Sequence, residues 1–211
     1  MQYNIHPKNI YNIDECGFIV GEGKKQRVVS ANPSANTSIL TGDRGQSLTA
    51  IECIAADGWI MFPFFLLPGQ WHMENWYRQA SLPNDYRIGV TPNGYTLDIM
   101  AYDWIHFFHT NTKSRISSKE YCLLLMDGHE SHKTYEFIQF CEKHYIILYC
   151  FPPHLTHLLQ PLNGKPFLQY KHYYCKNNNK IVQFAGSVKE KKDFLREIDS
   201  IRRQTFIART I

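Results

Sequence analysis

The chain of 211 residues has no CxxC pair, no internal repeat and no low-complexity tract beyond Asn177–Asn179. Without a CxxC pair, the six cysteines at 16, 53, 122, 141, 150 and 175 form no zinc ribbon or thioredoxin-type redox pair. They read as reduced, mostly buried thiols of an intracellular protein. Long apolar runs are missing too: Trp59–Pro68 supplies only about half of the roughly 20 residues that a spanning helix needs, so no membrane partner is expected. The opening Met-Gln-Tyr-Asn-Ile-His lacks the basic-then-apolar order of a secretory leader.

What is present suits a globular core. Hydrophobic residues make up 44% of the chain, charged residues 20% and aromatics 14%. The net charge of +4 is unevenly spread, with −3 over residues 1–163 and +7 over residues 164–211. A basic C-terminal quarter suits either a solvated helix face or contact with a polyanion. Cys141, His144, Cys150, His154 and His157 gather two metal-ligating residue types, but their order and gaps match no standard zinc finger.

In chain order, Ile10–Ile13 reads as a strand that bends or ends at Gly17, placing Asp14 near its end. Period-two sidedness sends Asp14 and Glu15 to opposite faces, and Glu15 reads as a solvent or helix-cap partner. Gly23–Val29 suggests a tight turn into a second strand, followed by a polar loop over 30–46. A third strand covers Ser47–Ala55, and Asp57-Gly58 is a hairpin signal leading into Trp59–Leu67. These early strands are expected to be antiparallel. A short helix is expected within Trp71–Tyr77. Another is expected over Thr96–Thr110 with Ile99, Tyr102, Ile105 and His106 on one face, and with Asp98 and Asp103 as cap or solvent groups.

Tyr121–Met126 is an apolar run of strand length that ends abruptly in Asp127-Gly128. It reads as a strand inside a sheet, with Asp127 at the carboxyl end, where open α/β sheets place their ligand sites. A helix over Lys133–His144, striped by Phe137, Ile138, Cys141 and Tyr145, precedes a strand over Tyr145–Phe151. Pro166 suits a helical first turn that Phe167, Tyr170 and Tyr174 continue, which sets Asn163 at or just before a helix N-terminus. Val188–Arg203 reads as one charged helix. Early antiparallel strands followed by strand–helix–strand–helix make a mixed α/β fold.

Three blocks carry a family resemblance: Ile-Tyr-Asn-Ile-Asp14-Glu-Cys-Gly-Phe, Leu-Leu-Met-Asp127-Gly-His-Glu-Ser-His and Pro-Pro-His-Leu-Thr-His-Leu-Leu-Gln-Pro-Leu-Asn163. Together they resemble the signature of the DDE superfamily endonuclease domain, in the pogo/Tigger and fungal Fot-type branch of mariner-like transposases. Ala55–Trp59, Phe65–Gln70 and Pro92-Asn-Gly-Tyr95 are similar as well, so the resemblance covers about residues 9–174. It implies a ribonuclease-H-like domain over residues 1–178, with 179–211 as a basic helical extension. It also implies DNA as partner, a multimeric assembly on that DNA and a nuclear location.

By the same resemblance three acids would hold two Mg²⁺ ions for in-line attack on a phosphodiester. Asp14 and Asp127 occupy the first two positions. The third is Asn163, after the 35 intervening residues typical of this branch. Asn offers one neutral carbonyl oxygen and neither the charge nor the bidentate reach of Asp. A unit charge about 4 Å away is worth roughly 4 kcal/mol at an effective dielectric near 20, so even a severalfold discount weakens a metal site by an order of magnitude. Glu130, three residues past Asp127, is the nearby acid that could substitute. Related transposases carry a helix-turn-helix region before this domain, and nothing in the chain reads as one. Two functional classes remain: a weakened Mg²⁺-dependent endonuclease or transposase, and a transposase-derived domain that binds nucleic acid or a partner without cutting.

Overall fold

The computed structural model describes residues 3–20, 45–78, 80, 82–117, 119–128, 134–152, 155–185 and 190–207. The strand expected near Arg27, the acid Glu130 and the metal candidate His154 lie outside them. Six strands, β1 (Ile10–Val20), β2 (Gln46–Ala55), β3 (Phe64–Pro68), β4 (Arg87–Thr91), β5 (Cys122–Met126) and β6 (Ile146–Cys150), form one sheet in the order β4-β3-β2-β1-β5-β6. The pairs β1–β2 and β2–β3 are antiparallel, and β1–β5, β5–β6 and β3–β4 are parallel. This is the mixed α/β, ribonuclease-H-like arrangement expected from the sequence.

The first strand differs from its expectation. It runs through Gly17 to Val20, because Tyr11 to Val20 pairs continuously with Ala55 to Gln46 and Gly17 sits opposite Thr49. Ten paired residues outweigh one glycine's weak strand preference. Asp14 is therefore in the middle of β1. Parallel pairing with β5, however, covers only Ile10–Asn12, so Asp14 lies just past the shared ladder.

Alternation along β1 and β2 divides the core into two layers. Tyr11, Ile13, Ile51 and Cys53 face α2 (Asp98–Thr112) and α3 (Tyr135–Lys143). Phe18, Leu48, Ala50 and Phe65 face α5 (Lys165–Ala185) and α6 (Lys191–Thr205). Two single-turn helices, α1 (Glu74–Tyr77) and α4 (Thr156–Leu159), and a 3-10 turn at Pro7–Asn9 complete the elements. The buried face of α2 is Ala101, Trp104, Ile105 and Phe108, whereas Ile99 is 75% exposed. The expected stripe was rotated because Trp104 and Phe108 stack on each other and Phe108 meets Tyr11 edge-on. In α3, Phe137 and Cys141 are buried as expected, but Ile138 is exposed, and Tyr145 lies beyond the helix, also exposed.

Two turn motifs proved structural. Gly58 has φ +88°, and the Trp59 amide donates to Asp57 Oδ1 at 3.1 Å, so Asp57 is a turn residue. Gly94 has φ +77°, and a Cβ there would sit 2.2 Å from the Ser47 carbonyl oxygen. Only glycine fits that approach.

The charged look of α6 conceals an apolar face. Phe194, Leu195, Ile198 and Ile201 are all buried against α5 and the sheet. Each such side chain contributes about 1.5–3 kcal/mol. The exposed pairs Arg196–Asp193 and Arg203–Asp199 contribute at most about 1 kcal/mol each. Burial thus holds α6 in place. One charge on it is buried too: Arg202 donates through Nε and Nη2 to both oxygens of Glu52 at 2.9–3.0 Å, and through Nη2 to the Met61 carbonyl. Burial raises the Glu52 carboxyl above its ordinary range, and Arg202 opposes that shift. Removing one partner of a buried pair costs about 3–5 kcal/mol, while replacing both by apolar groups costs little. Arg202→Met should therefore lower the urea midpoint steeply, and Glu52→Leu with Arg202→Met should recover most of the loss. Equal stability of Arg202→Met and the parent would show that the pair does not hold α6.

Candidate functional site

The site begins with strand register. Ile10, Tyr11 and Asn12 pair with Leu123, Leu124 and Leu125. Two further steps along both strands bring Asp14 level with Asp127, the first residue after β5. Parallel neighbours in register point to the same face of the sheet. That face is the one bearing Asn12 and Cys16, turned toward α5. Asp127 is half-buried at the carboxyl end of β5, as the sequence predicted.

The third block is attached to the same strand by two side chains that sequence reasoning passed over. Asn12, 3% exposed, accepts from the Leu162 amide at 3.1 Å through Oδ1 and donates to the Leu125 carbonyl at 3.2 Å. Gln160, equally buried, donates to the Ile13 carbonyl at 2.9 Å. Leu162 is fully buried between them and the helical layer. Residues 160–162 are thereby fixed to β1 immediately before the first carboxylate, and Asn163 is the next residue. Asn163 is exposed and its side chain has no hydrogen-bond partner among the described residues. The helix begins two residues later, at Lys165. A polar Asn between buried Tyr11 and Ile13 was the readable signal, since an unsatisfied amide there would be costly.

The electrostatics follow from this packing. Burial, with a smaller push from Asp127, raises the Asp14 carboxyl to about 7 against the opposing hydrogen bond from the Glu15 amide. Lys171, an exposed residue of α5, pulls it the other way. No sequence signal pointed to Lys171. Burial also pushes the Cys16 thiol beside them up to about 12, so it is neither a nucleophile nor a thiolate ligand near neutral pH. Glu15 points to the other face, where its Oε1 accepts from Thr96 Oγ1 at 2.7 Å just before α2. It is a partner of the helix entry, as expected.

Two carboxyl groups brought level on a partly desolvated face offer hard oxygen donors of the kind that fits Mg²⁺ or Mn²⁺. Asp14 and Asp127 would hold such an ion. Among the described residues no group of three or more His, Cys, Asp or Glu side chains is placed to hold a metal ion. In the cysteine–histidine set, Cys141 is on the buried face of α3 while Cys150 is exposed.

Comparison with known proteins agrees with this architecture. A family model described as DDE superfamily endonuclease matches residues 46–200. The fold resembles the Mos1 mariner paired-end complex with Mn (TM-score 0.53, 14% identity, 94% of this chain and 54% of that one). It also resembles a pre-cleavage Mos1 transpososome (TM-score 0.52, 12% identity, 97% and 56%). A third similar structure is the Mos1 transposase catalytic domain with raltegravir and Mn (TM-score 0.51, 10% identity, 97% and 84%). At these identities the likeness concerns the fold alone. A curated relative, the MFS-type transporter clz9 of Cochliobolus lunatus, is 28% identical over all 211 residues. The chain spans 23% of that protein's length. Among the described residues no helix is long and apolar enough to cross a membrane. With most of its length matched by the family model and its sheet folded accordingly, the chain belongs to the DDE superfamily endonucleases.

Proposed function

We propose that the chain is the phosphodiester-cleaving domain of a mariner-like transposase of the pogo/Tigger or Fot type, acting on DNA with Mg²⁺ and weakened by Asn163. The observation that carries this reading is the register that levels Asp14 with Asp127. Asp14 and Asp127 supply the ligand oxygens, and Asn163 takes the third position with a neutral carbonyl. When bound, Mg²⁺ supplies activation of an attacking water or 3′-hydroxyl and charge stabilisation at the leaving oxygen. Asn12 and Gln160 keep Asn163 in place by fixing the preceding loop. Lys171 presents a positive charge to the phosphate that approaches the two carboxylates. Residues 1–178 form the catalytic unit on this reading, and 179–211 extend it. The nucleus and a homo-oligomer assembled on DNA complete the proposal. The mariner branch is supported by the three sequence blocks and by the Mos1-like fold.

Plasmid nicking tests this directly. With Mg²⁺ or Mn²⁺, Asn163→Asp should raise the cleavage rate at least tenfold, consistent with restoring one ligand charge. Asp14→Ala and Asp127→Ala should abolish it in that background. A folded Asn163→Asp protein that never nicks DNA would favour a domain that binds without cutting.

Proton linkage gives a second test. A carboxyl raised to about 7 in the folded state, from about 3.9 unfolded, is protonated more readily when folded. Stability from this group is thus full below about pH 4 and lost as pH rises toward 7. In chelator, the parent protein should lose melting temperature relative to Asp14→Asn across that window. Mn²⁺ should raise the parent's melting temperature more at pH 8 than at pH 5, because protons compete for Asp14. A Mn²⁺ effect of equal size at both pH values, or one retained by Asp14→Asn, would contradict the assignment.

A further inference from the structure

The end of the sheet opposite Asp127 carries its own concentration of function-like features. Tyr121 and Tyr145 immediately precede the neighbouring parallel strands β5 and β6, and the Cys122 amide donates to the Tyr145 carbonyl at 3.0 Å. Their rings meet edge-on at 5.5 Å, and Tyr3 meets Tyr121 at 4.9 Å. All three remain 40–50% exposed. Two concavities adjoin them. One of about 450 Å³ is lined by Tyr3, His6, Lys119 and Tyr121, and one of about 230 Å³ by Lys113, Lys119, Lys143, His144 and Tyr145.

Charge in this region is positive and uncommitted. Lys113, Lys119 and Lys143 are exposed and belong to no ion pair among the described residues. Glu120, the carboxylate that lines both concavities, is occupied by Lys8, the Asn9 side chain and the Ser117 amide. Helices α2 and α3 end here, and each helix end contributes about half a negative charge, which two of the lysines sit close enough to offset. That capping role is the plainer use of Lys113 and Lys143. It does not explain Lys119, nor the exposed tyrosines, nor the backbone.

The backbone is the independent observation. Among the described residues only two non-glycine positions have positive φ: Lys119 at +68° and Tyr145 at +58°. Both line this cleft. A left-handed conformation at a lysine and a tyrosine is disfavoured, and such strain gathers at functional surfaces. A helix ending like α3 ordinarily takes glycine at the position of Tyr145. Here a large ring is presented instead.

We propose that this cleft is a single-stranded nucleic-acid site, with bases stacked on Tyr121 and Tyr145 and phosphates on Lys113, Lys119 and Lys143. Half-exposed rings interleaved with unpaired cations are what sequence-independent strand binding requires. The site is distinct from the carboxylates, since six residues of extended chain separate Tyr121 from Asp127 by about 20 Å. Its existence does not depend on cleavage activity.

Fluorescence anisotropy with labelled oligo(dT) and oligo(U) of about a dozen nucleotides, and a duplex of the same length, tests the proposal on the full chain. Single strands should bind more tightly than duplex. The tighter of oligo(dT) and oligo(U) names the natural strand, and either supports the site. Lys113→Glu with Lys143→Glu should weaken binding at least tenfold and flatten its salt dependence. Tyr121→Ala should weaken it about tenfold, and Tyr121→Leu, which keeps an apolar contact with Tyr145, should show the same loss in a folded protein. Asp14→Asn with Asp127→Asn should leave binding unchanged, which separates this site from the cleavage reading. Wild-type affinity in the lysine and tyrosine variants would overturn the proposal, as would loss of binding in the aspartate variant or equal affinity for duplex.

Discussion

The three residue pairs that join β1 to β5 in parallel are the constraint on which the rest depends. They set the level at which the two strands leave one another, and Asp14 and Asp127 lie two steps beyond the last pair. A slip of one residue would turn every side chain of one strand to the other face. The register is held by burial: Tyr11 and Leu124 are fully buried on one side of the sheet. On the other side, Asn12 reaches across to the Leu125 carbonyl and up to the Leu162 amide. One asparagine therefore connects all three sequence blocks.

The same face handles three acids in two ways. Glu52 is paired with Asp14 across β1 and β2, so Glu52, Asp14 and Asp127 occupy one row of the sheet. Glu52 is fully buried and has a dedicated guanidinium from α6. Asp14 has an amide hydrogen bond and a more distant lysine, and its carboxyl is accordingly raised to about 7. A fold that can supply a buried arginine to one acid leaves its neighbour without one. The consequence is that Asp14 answers its burial by holding its proton more tightly, whereas Glu52 answers it with an ion pair.

Much of this was legible because it rests on local pattern. The apolar run of β5 and its abrupt end at Asp127 are visible in five consecutive residues. The turn at Asp57-Gly58 and the helix after Asn163 follow from residue preferences. What stayed hidden depends on neighbours. Gly17 signals a break, yet β2 carries the strand through it. The α2 stripe was displaced because the partner of Phe108 is Tyr11, 97 positions away. The charge of α6 masked an apolar face whose partners lie on α5 and the sheet. Asn12 and Gln160 look like ordinary polar residues until their bonding partners, about 150 positions apart in sequence, are known.

The account turns on whether Asp14 and Asp127 form a cation site that lacks one ligand charge. Counting Mn²⁺ ions bound per chain, by electron paramagnetic resonance with and without a DNA oligonucleotide, measures this most directly. The account predicts one ion for the natural chain, two for Asn163→Asp, and none for Asp14→Asn with Asp127→Asn. Equal counts for the natural chain and the double-asparagine variant would contradict it.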